Sequence, residues 1–248
     1  MLLRVIDFET TGAPPDAEVC EVGWIDILIK EGEGPIWGST TLLGLRTSGP
    51  GSLLVDPERP ITPQAMAVHH IQDNQVKGQK NKEYWTKLLK GSEIGEDRVQ
   101  AFVSHNSSFE EAFFPADLTR GVPWICTLKA ARRVWPDAPS HALQTLRYWL
   151  PLVLDQTVGL PAHRAGPDAY VGGHLLLALI AAGAAIEDML QWTISPSLLP
   201  RISFGKHRGL LWKELPEGYL EWVLKSDFGE DEKYTANYWL SFRSRTPG

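Results

Sequence analysis

Five residues in three short segments are of the types that hydrolytic chemistry uses. Asp7 and Glu9 stand in Val5-Ile6-Asp7-Phe8-Glu9-Thr10-Thr11-Gly12, Glu110 closes Ser104-His105-Asn106-Ser107-Ser108-Phe109-Glu110, and His163 precedes Asp168 by five residues. Acids held close together repel one another, and a divalent cation is the simplest relief. The set therefore reads as a metal site with a histidine beside it. Each segment also has a plainer reading. Asp7 and Glu9 could mark a solvated strand end, and His163 could be a surface histidine. Glu110 could merely answer the dipole of a helix start, worth roughly 0.3–1 kcal/mol. Three such segments in this order, each at an element boundary, favour the joint reading.

The surrounding elements explain how these residues would meet. Leu2 to Phe8 is an apolar run rich in strand formers, so Asp7 and Glu9, two apart, project to one face. Val19 to Ile29 and Ser39 to Arg46 predict the next strands of an antiparallel meander, with a turn at 31–35. Thr62-Pro63 opens a short helix running to His69-His70, with Thr62 as N-cap and Pro63 in its first position. Lys82 to Lys90 predicts a second helix and Val99 to Ser104 a fourth strand. Asn106 or Ser107 caps the helix that carries Glu110 in its first turn. Further helices are expected over Thr127 to Val134 and Ala142 to Leu150. Pro167 starts a helix to about Ala182 that is apolar on nearly every side, as a buried helix is. Strands first and helix–strand alternation afterwards predict an α/β fold, a mixed sheet covered by helices. The stretch 193–200 reads as a linker between a domain over 1–192 and a small C-terminal module over 201–248. That module is expected to hold a hairpin-like turn and helices over Glu214 to Lys225 and Lys233 to Phe242.

At 248 residues the chain can bury one α/β core with an appendage. A net charge of -6 argues against long-range, non-specific attraction to nucleic acid. It leaves room for a local basic groove, because the site acids add to the negative balance. Cys20 and Cys126 sit among apolar neighbours without metal-ligand spacing, so two reduced core thiols and a cytoplasmic setting are expected. Nothing before Arg4 and Asp7 resembles a signal peptide, and the apolar run from Leu175 to Ala185 is too short to span a bilayer.

Taken together, the segments resemble those of the DEDDh 3′→5′ exonucleases, the superfamily of ribonuclease T and oligoribonuclease, and within it the exodeoxyribonuclease X family. The likeness extends to Arg59-Pro60-Ile61-Thr62-Pro63-Gln64-Ala65-Met66-Ala67-Val68-His69 and to the segment from Trp124-Ile125-Cys126-Thr127 to Trp135-Pro136. It includes Phe204-Gly205-Lys206-His207-Arg208-Gly209 and so covers most of the chain. The resemblance implies a ribonuclease H-like fold with a mixed five-stranded sheet and a site for two Mg²⁺ or Mn²⁺ ions, which suit hard oxygen ligands. In that scheme Asp7 touches both ions, Glu9 and Asp168 hold the first, and Glu110 helps hold the second through water. Paired ions would activate a water and stabilise the departing 3′-oxygen. His163 would be the general base, and nucleoside 5′-monophosphates would leave from a 3′ end. The superfamily has aspartate where this chain has Glu110, whose carboxylate sits one methylene further out. Glu111 beside it points about 100° away on a helix.

The same resemblance places Thr10 and Thr11 on the terminal nucleotide, with His69 and Asn106 near its sugar or phosphate. His69 as a helix C-cap and Asn106 as a helix cap are the alternatives. Met66 or Phe109 would wedge against the terminal base, or belong to the core. Lys129, Arg132 and Arg133 form a basic helix face that could track strand phosphates or simply be solvated. Lys206, His207 and Arg208 lie at a tight turn between Phe204 and Trp212, which suits single strands. Phe204, Trp212, Tyr219, Trp222 and Trp239 are expected to build the module's own core. The reading that results is a metal-dependent 3′→5′ exodeoxyribonuclease acting on single-stranded DNA or 3′ overhangs, with a homodimer compatible with related enzymes. An exoribonuclease and a catalytically weak 3′-end-binding protein are its rivals, the latter because of Glu110.

Overall fold

Alternate residues of the first strand, β1 (Leu2–Thr10), enter two different cores. Leu2, Ile6 and Phe8 pack with Trp85, Phe102 and Phe114 on one face, whereas Leu3 and Val5 pack with Ile25, Leu175 and Leu179 on the other. Asp7 and Glu9 continue the second series, so they emerge on the Leu3–Val5 face. This computed structural model describes residues 1–29, 36–40, 46–47, 49–91 and 98–245.

β2 (Val19–Leu28) and β3 (Ile36–Thr40) follow β1 as an antiparallel meander. The expected strand over 39–46 is displaced: β3 ends at Thr40, and Arg46–Thr47 is a separate two-residue strand, β4. The expected turn at 31–35 lies outside the described residues. β5 (Gly51–Leu54) takes the part of β2's outer edge, Glu21 to Trp24, that β3 leaves uncovered. Three helices come next: α1 (Pro63–His69), α2 (Asp73–Val76) and α3 (Lys82–Lys90). Thr62 caps α1 by accepting from the Ala65 amide, and Asn81 caps α3 by accepting from that of Tyr84.

β6 (Val99–Ser104) runs parallel to β1 and leads into α4 (Ser107–Phe113) and α5 (Ala116–Thr119). β7 (Trp124–Cys126) is parallel to β6 and completes the mixed order β3-β2-β1-β6-β7, five strands with β4 and β5 as additions. Beyond β7, α6 (Thr127–Val134), α7 (Leu143–Trp149), α8 (Ala165–Ala181) and α9 (Ile186–Ile194) cover the Leu3–Val5 face. The outermost amide of β7, on Cys126, donates to Thr193 Oγ1 of α9 at 2.8 Å.

Helix α8 lies against the sheet at unusually close range. A Cβ at Gly23 would sit 1.9 Å from the Ala165 backbone, and one at Gly166 would sit 2.9 Å from Ser52 Cβ. Small residues at these crossings let the first turn of α8 rest directly on β2 and β5. The start of α8 is Ala165 rather than Pro167, because Glu21 accepts the Ala165 amide at 3.0 Å and so satisfies a first-turn donor. Pro167 then falls inside that turn, where its missing N–H costs nothing.

The C-terminal segment holds the 3₁₀ turns Gly205–His207 and Trp212–Glu214, then α10 (Glu217–Lys225) and α11 (Glu230–Arg245). It has its own core of Ile202, Trp212, Leu220, Val223 and Ala236, with Phe204, Tyr219 and Trp239 packed on it. Trp222, expected in that core, is 47% exposed. The stretch 193–200 is more tied down than a linker. It contains the end of α9, and the Ser197 and Leu199 amides donate to Asp231 and Thr235 of α11. Cys20 and Cys126 are free and buried. Among the described residues no single helix is long and apolar enough to cross a membrane.

Candidate active site and metal centre

Three of the five chemical residues meet at the C-terminal end of β1. Asp7, Glu9 and Asp168 each offer a carboxylate oxygen, and these oxygens lie within 4.8 Å of one another. Asp7 and Glu9 come from one face of β1, and Asp168 comes from the first turn of α8 that Gly23 admits. Asp168 is oriented at both oxygens: Gln144 of α7 donates to Oδ1 at 2.5 Å, and the His163 amide donates to Oδ2 at 2.7 Å. His163 adopts a left-handed backbone, φ 59°, at the corner entering α8. Its imidazole is exposed and borders the same cleft, a cavity of about 570 Å³.

Glu110 faces this cleft from α4 without joining the close trio. It is 3% exposed, and its Oε2 has no hydrogen-bond partner among the described residues. Burial pushes its carboxyl up to about 8. Glu9 is likewise pushed up to about 8, by burial and then by the charges of Asp168 and Glu21. Asp7 is raised well above the usual carboxylate range by burial and by its acidic neighbours, Asp168 first. Burial raises Asp168, opposed by its bonds from His163 and Gln144. A buried carboxylate oxygen without a donor, beside three converging acids, fits the demands of a hard divalent cation. Glu111, one residue on, is occupied: its Oε1 accepts from the Ser107 hydroxyl at 2.7 Å.

The other sequence-based candidates divide. Thr10 and Asn106 line the cleft. Asn106 is exposed in a left-handed conformation, φ 83°, and its side chain does not cap α4, which corrects the capping alternative. Thr11 is buried and serves the turn instead, its amide donating to Glu18 O and its hydroxyl accepting from the Glu18 amide. His69 stands in the cleft wall with both ring nitrogens engaged by protein. Nδ1 accepts from the Ile71 amide at 2.9 Å, so Nε2 carries the proton and donates to Thr10 O at 3.2 Å. Burial lowers its pKa, keeping the ring neutral. His69 therefore ties the α1 turn to the end of β1, rather than offering its ring to a nucleotide. Phe109 borders the cleft, while Met66 packs on the small cluster of Cys20, Ile61, Ile71 and Val76.

The basic face of α6 is not a free face. Lys129 donates to Thr193 O and Ser195 O, both at 2.7 Å, closing the C-terminal carbonyls of α9. Arg133 donates to the Tyr234 hydroxyl at 2.7 Å and lies over the Trp192 and Tyr234 rings. Arg132 is half-buried and lines a small cavity between α6 and the C-terminal segment, away from the cleft. A cationic helix face looks the same in sequence whether it meets solvent or another part of the chain. Lys206 and Arg208 are exposed, and their side chains have no partners among the described residues.

Sequence reasoning passed over Glu21, Arg164 and Gln144. Glu21 pairs with Glu9 across β1 and β2 and is 1% exposed. The signal available was an acid inside the apolar run Val19-Cys20-Glu21-Val22, a position that demands a buried partner. Gln144 stands in an ordinary helix and gave no signal.

Residues 5–175 match the protein family described as Exonuclease. Over 231 residues the chain is 33% identical to Exodeoxyribonuclease 10 of Escherichia coli strain K12, covering 91% of each chain. Among solved structures it is similar to Exonuclease X in complex with 5′ overhanging duplex DNA. That match has a TM-score of 0.58 and 30% identity and covers 77% of this chain and 99% of that one. E. coli Exonuclease I in complex with a dT13 oligonucleotide shares the fold at 13% identity, with a TM-score of 0.51 and 73% of this chain and 41% of that one covered. With its converging acids and this breadth of similarity, the chain belongs to the exonuclease family.

Proposed function

We propose that the chain is a metal-dependent 3′→5′ exodeoxyribonuclease. The observation that carries this reading is the convergence of Asp7, Glu9 and Asp168 within 4.8 Å, with His163 at the adjoining corner. Its similarity to Exodeoxyribonuclease 10 and to a DNA-bound Exonuclease X supports DNA as the substrate. Asp7, Glu9 and Asp168 would hold Mg²⁺ or Mn²⁺, with Glu110 assisting a second ion from the back of the cleft. Two bound cations supply Lewis acidity for an in-line displacement at phosphorus. His163 takes a proton from the attacking water at an imidazole nitrogen. The new P–O bond forms as the P–O3′ bond breaks; O3′ stays on the shortened strand and takes up a proton from solvent as its 3′-hydroxyl, and a nucleoside 5′-monophosphate leaves. Asn106 and Thr10 line the path of the terminal nucleotide. Lys206 and Arg208 would take phosphates further along the strand.

The test compares matched DNA and RNA oligonucleotides, labelled at either end, with Mg²⁺ and with Mn²⁺. Stepwise shortening of DNA from the 3′ end is expected. Asp7→Asn should remove hydrolysis while leaving strand affinity within about threefold, since a ligand rather than a strand contact is lost. Preferential loss of RNA, shortening from the 5′ end, or strand binding without hydrolysis under either metal would each overturn the reading.

A further inference from the structure

Glu21 stands where a fifth metal-site acid would stand, and the structure gives it different work. It is directly opposite Glu9 in the β1–β2 register, so both side chains rise from the same face. Yet its two oxygens receive four donors. Arg164 Nη2 at 2.7 Å and the Ser52 hydroxyl at 2.9 Å reach Oε1, while Arg164 Nε at 2.9 Å and the Ala165 amide at 3.0 Å reach Oε2. A carboxylate so saturated has no lone pair left for a cation. These bonds, Arg164's foremost, hold its carboxyl below the ordinary glutamate range, whereas Glu9 and Glu110 are pushed up.

Three of those four donors belong to residues 164 and 165. They follow His163, whose own amide donates to Asp168. The corner that bears the histidine and the third acid is thus fastened at two points, to Glu21 on the sheet and to Asp168 within the helix start. Arg164 is 35% exposed but does not line the cleft. Its planar fork matches the carboxylate in a way that a lysine cannot. We infer that Glu21 and Arg164 are a positioning pair, which sets His163 and Asp168 over Asp7 and Glu9 without touching the substrate.

This inference rests on the exonuclease reading, so its test includes measurements that need no turnover. The full chain is prepared as Arg164→Gln, Glu21→Gln, the double variant and Arg164→Lys, and each is measured for Mn²⁺ affinity by calorimetry, thermal midpoint, kcat and KM. Misplacing a reacting group by about an ångström can cost on the order of 10²-fold. Each Gln variant should therefore lose roughly 10- to 100-fold in kcat with KM within about threefold, and should bind Mn²⁺ several-fold more weakly. The double variant should be no worse than the poorer single, because the two residues act as one unit. Arg164→Lys should recover part of both losses, keeping the charge and one hydrogen bond. Arg164→Gln, a change at a partly exposed side chain, keeps the test open if Glu21→Gln does not fold. A raised KM at unchanged kcat would make Arg164 a strand contact and overturn the pair. Losses that multiply in the double variant, or Mn²⁺ affinity untouched in Arg164→Gln, would overturn it as well. If the wild type proves not to cleave DNA, the exonuclease reading fails while the Mn²⁺ comparison still decides the pair.

Discussion

Glu9 and Glu110 keep their protons to about pH 8 in the folded protein without metal, against 4.5 for an ordinary glutamate. A carboxyl raised by folding holds its proton when the unfolded chain has already released one. Stability contributed by these groups is thus complete below about pH 4.5 and is lost as pH rises towards 8. With metal chelated, the thermal midpoint should fall between pH 6 and pH 8, and added Mg²⁺ or Mn²⁺ should restore it, more at pH 8 than at pH 6. Glu110→Gln should shrink that fall, since it removes one of the charges that develop as pH rises, and a midpoint unmoved by pH in chelator would contradict this account. Asp7, Glu9 and Asp168 were legible in sequence because strand alternation and a helix start fix where such residues point. Glu21 was not, because strand periodicity cannot distinguish an acid at a metal from one that holds an arginine.

At the scale of elements, the site depends on how near α8 comes to β2. Gly23 lies opposite Asp7 in the strand register, and the space a side chain would occupy there is filled by the Ala165 backbone. Gly23→Ala should destabilise the fold by about 3 kcal/mol, the upper part of the overpacking range, because backbone rather than a flexible side chain must give way. Denaturant unfolding measures the loss, and Mn²⁺ affinity should fall with it as Asp168 moves away from Asp7. Wild-type stability and affinity in this variant would show that α8 can shift freely. α3, β6 and α6 occupy the ranges expected from the sequence, Lys82–Lys90, Val99–Ser104 and Thr127–Val134. β7 was not, because three residues carry no period, and the true start of α8 depends on a strand more than a hundred residues earlier in the chain.

For the molecule as a whole, the question is what the C-terminal segment adds. His207, between the exposed Lys206 and Arg208, packs on Tyr219 at 4.6 Å, and Tyr219 packs on the exposed Trp222 at 5.0 Å. Replacing both Lys206 and Arg208 by alanine should raise KM for long oligonucleotides several-fold and leave kcat on very short ones unchanged. The salt dependence of affinity should flatten by about 1.4 in its logarithmic slope, the value for two lost single-strand phosphate contacts. Equal affinity and slope in the variant would remove the segment from the strand's path. The segment's aromatic core was foreseeable from composition, but its attachment through Arg133 to Tyr234 was not, since that cation serves a partner distant in sequence. The bond from the Cys126 amide to Thr193 has a consequence for how copies of this chain meet one another. A bare outer strand is a template on which a second molecule can add a strand of its own. Here that template is only three residues long, and an outward donor on it is already taken by a threonine hydroxyl. Thr193→Val would expose that donor, and the cost would show as self-association at high concentration before it showed in catalysis.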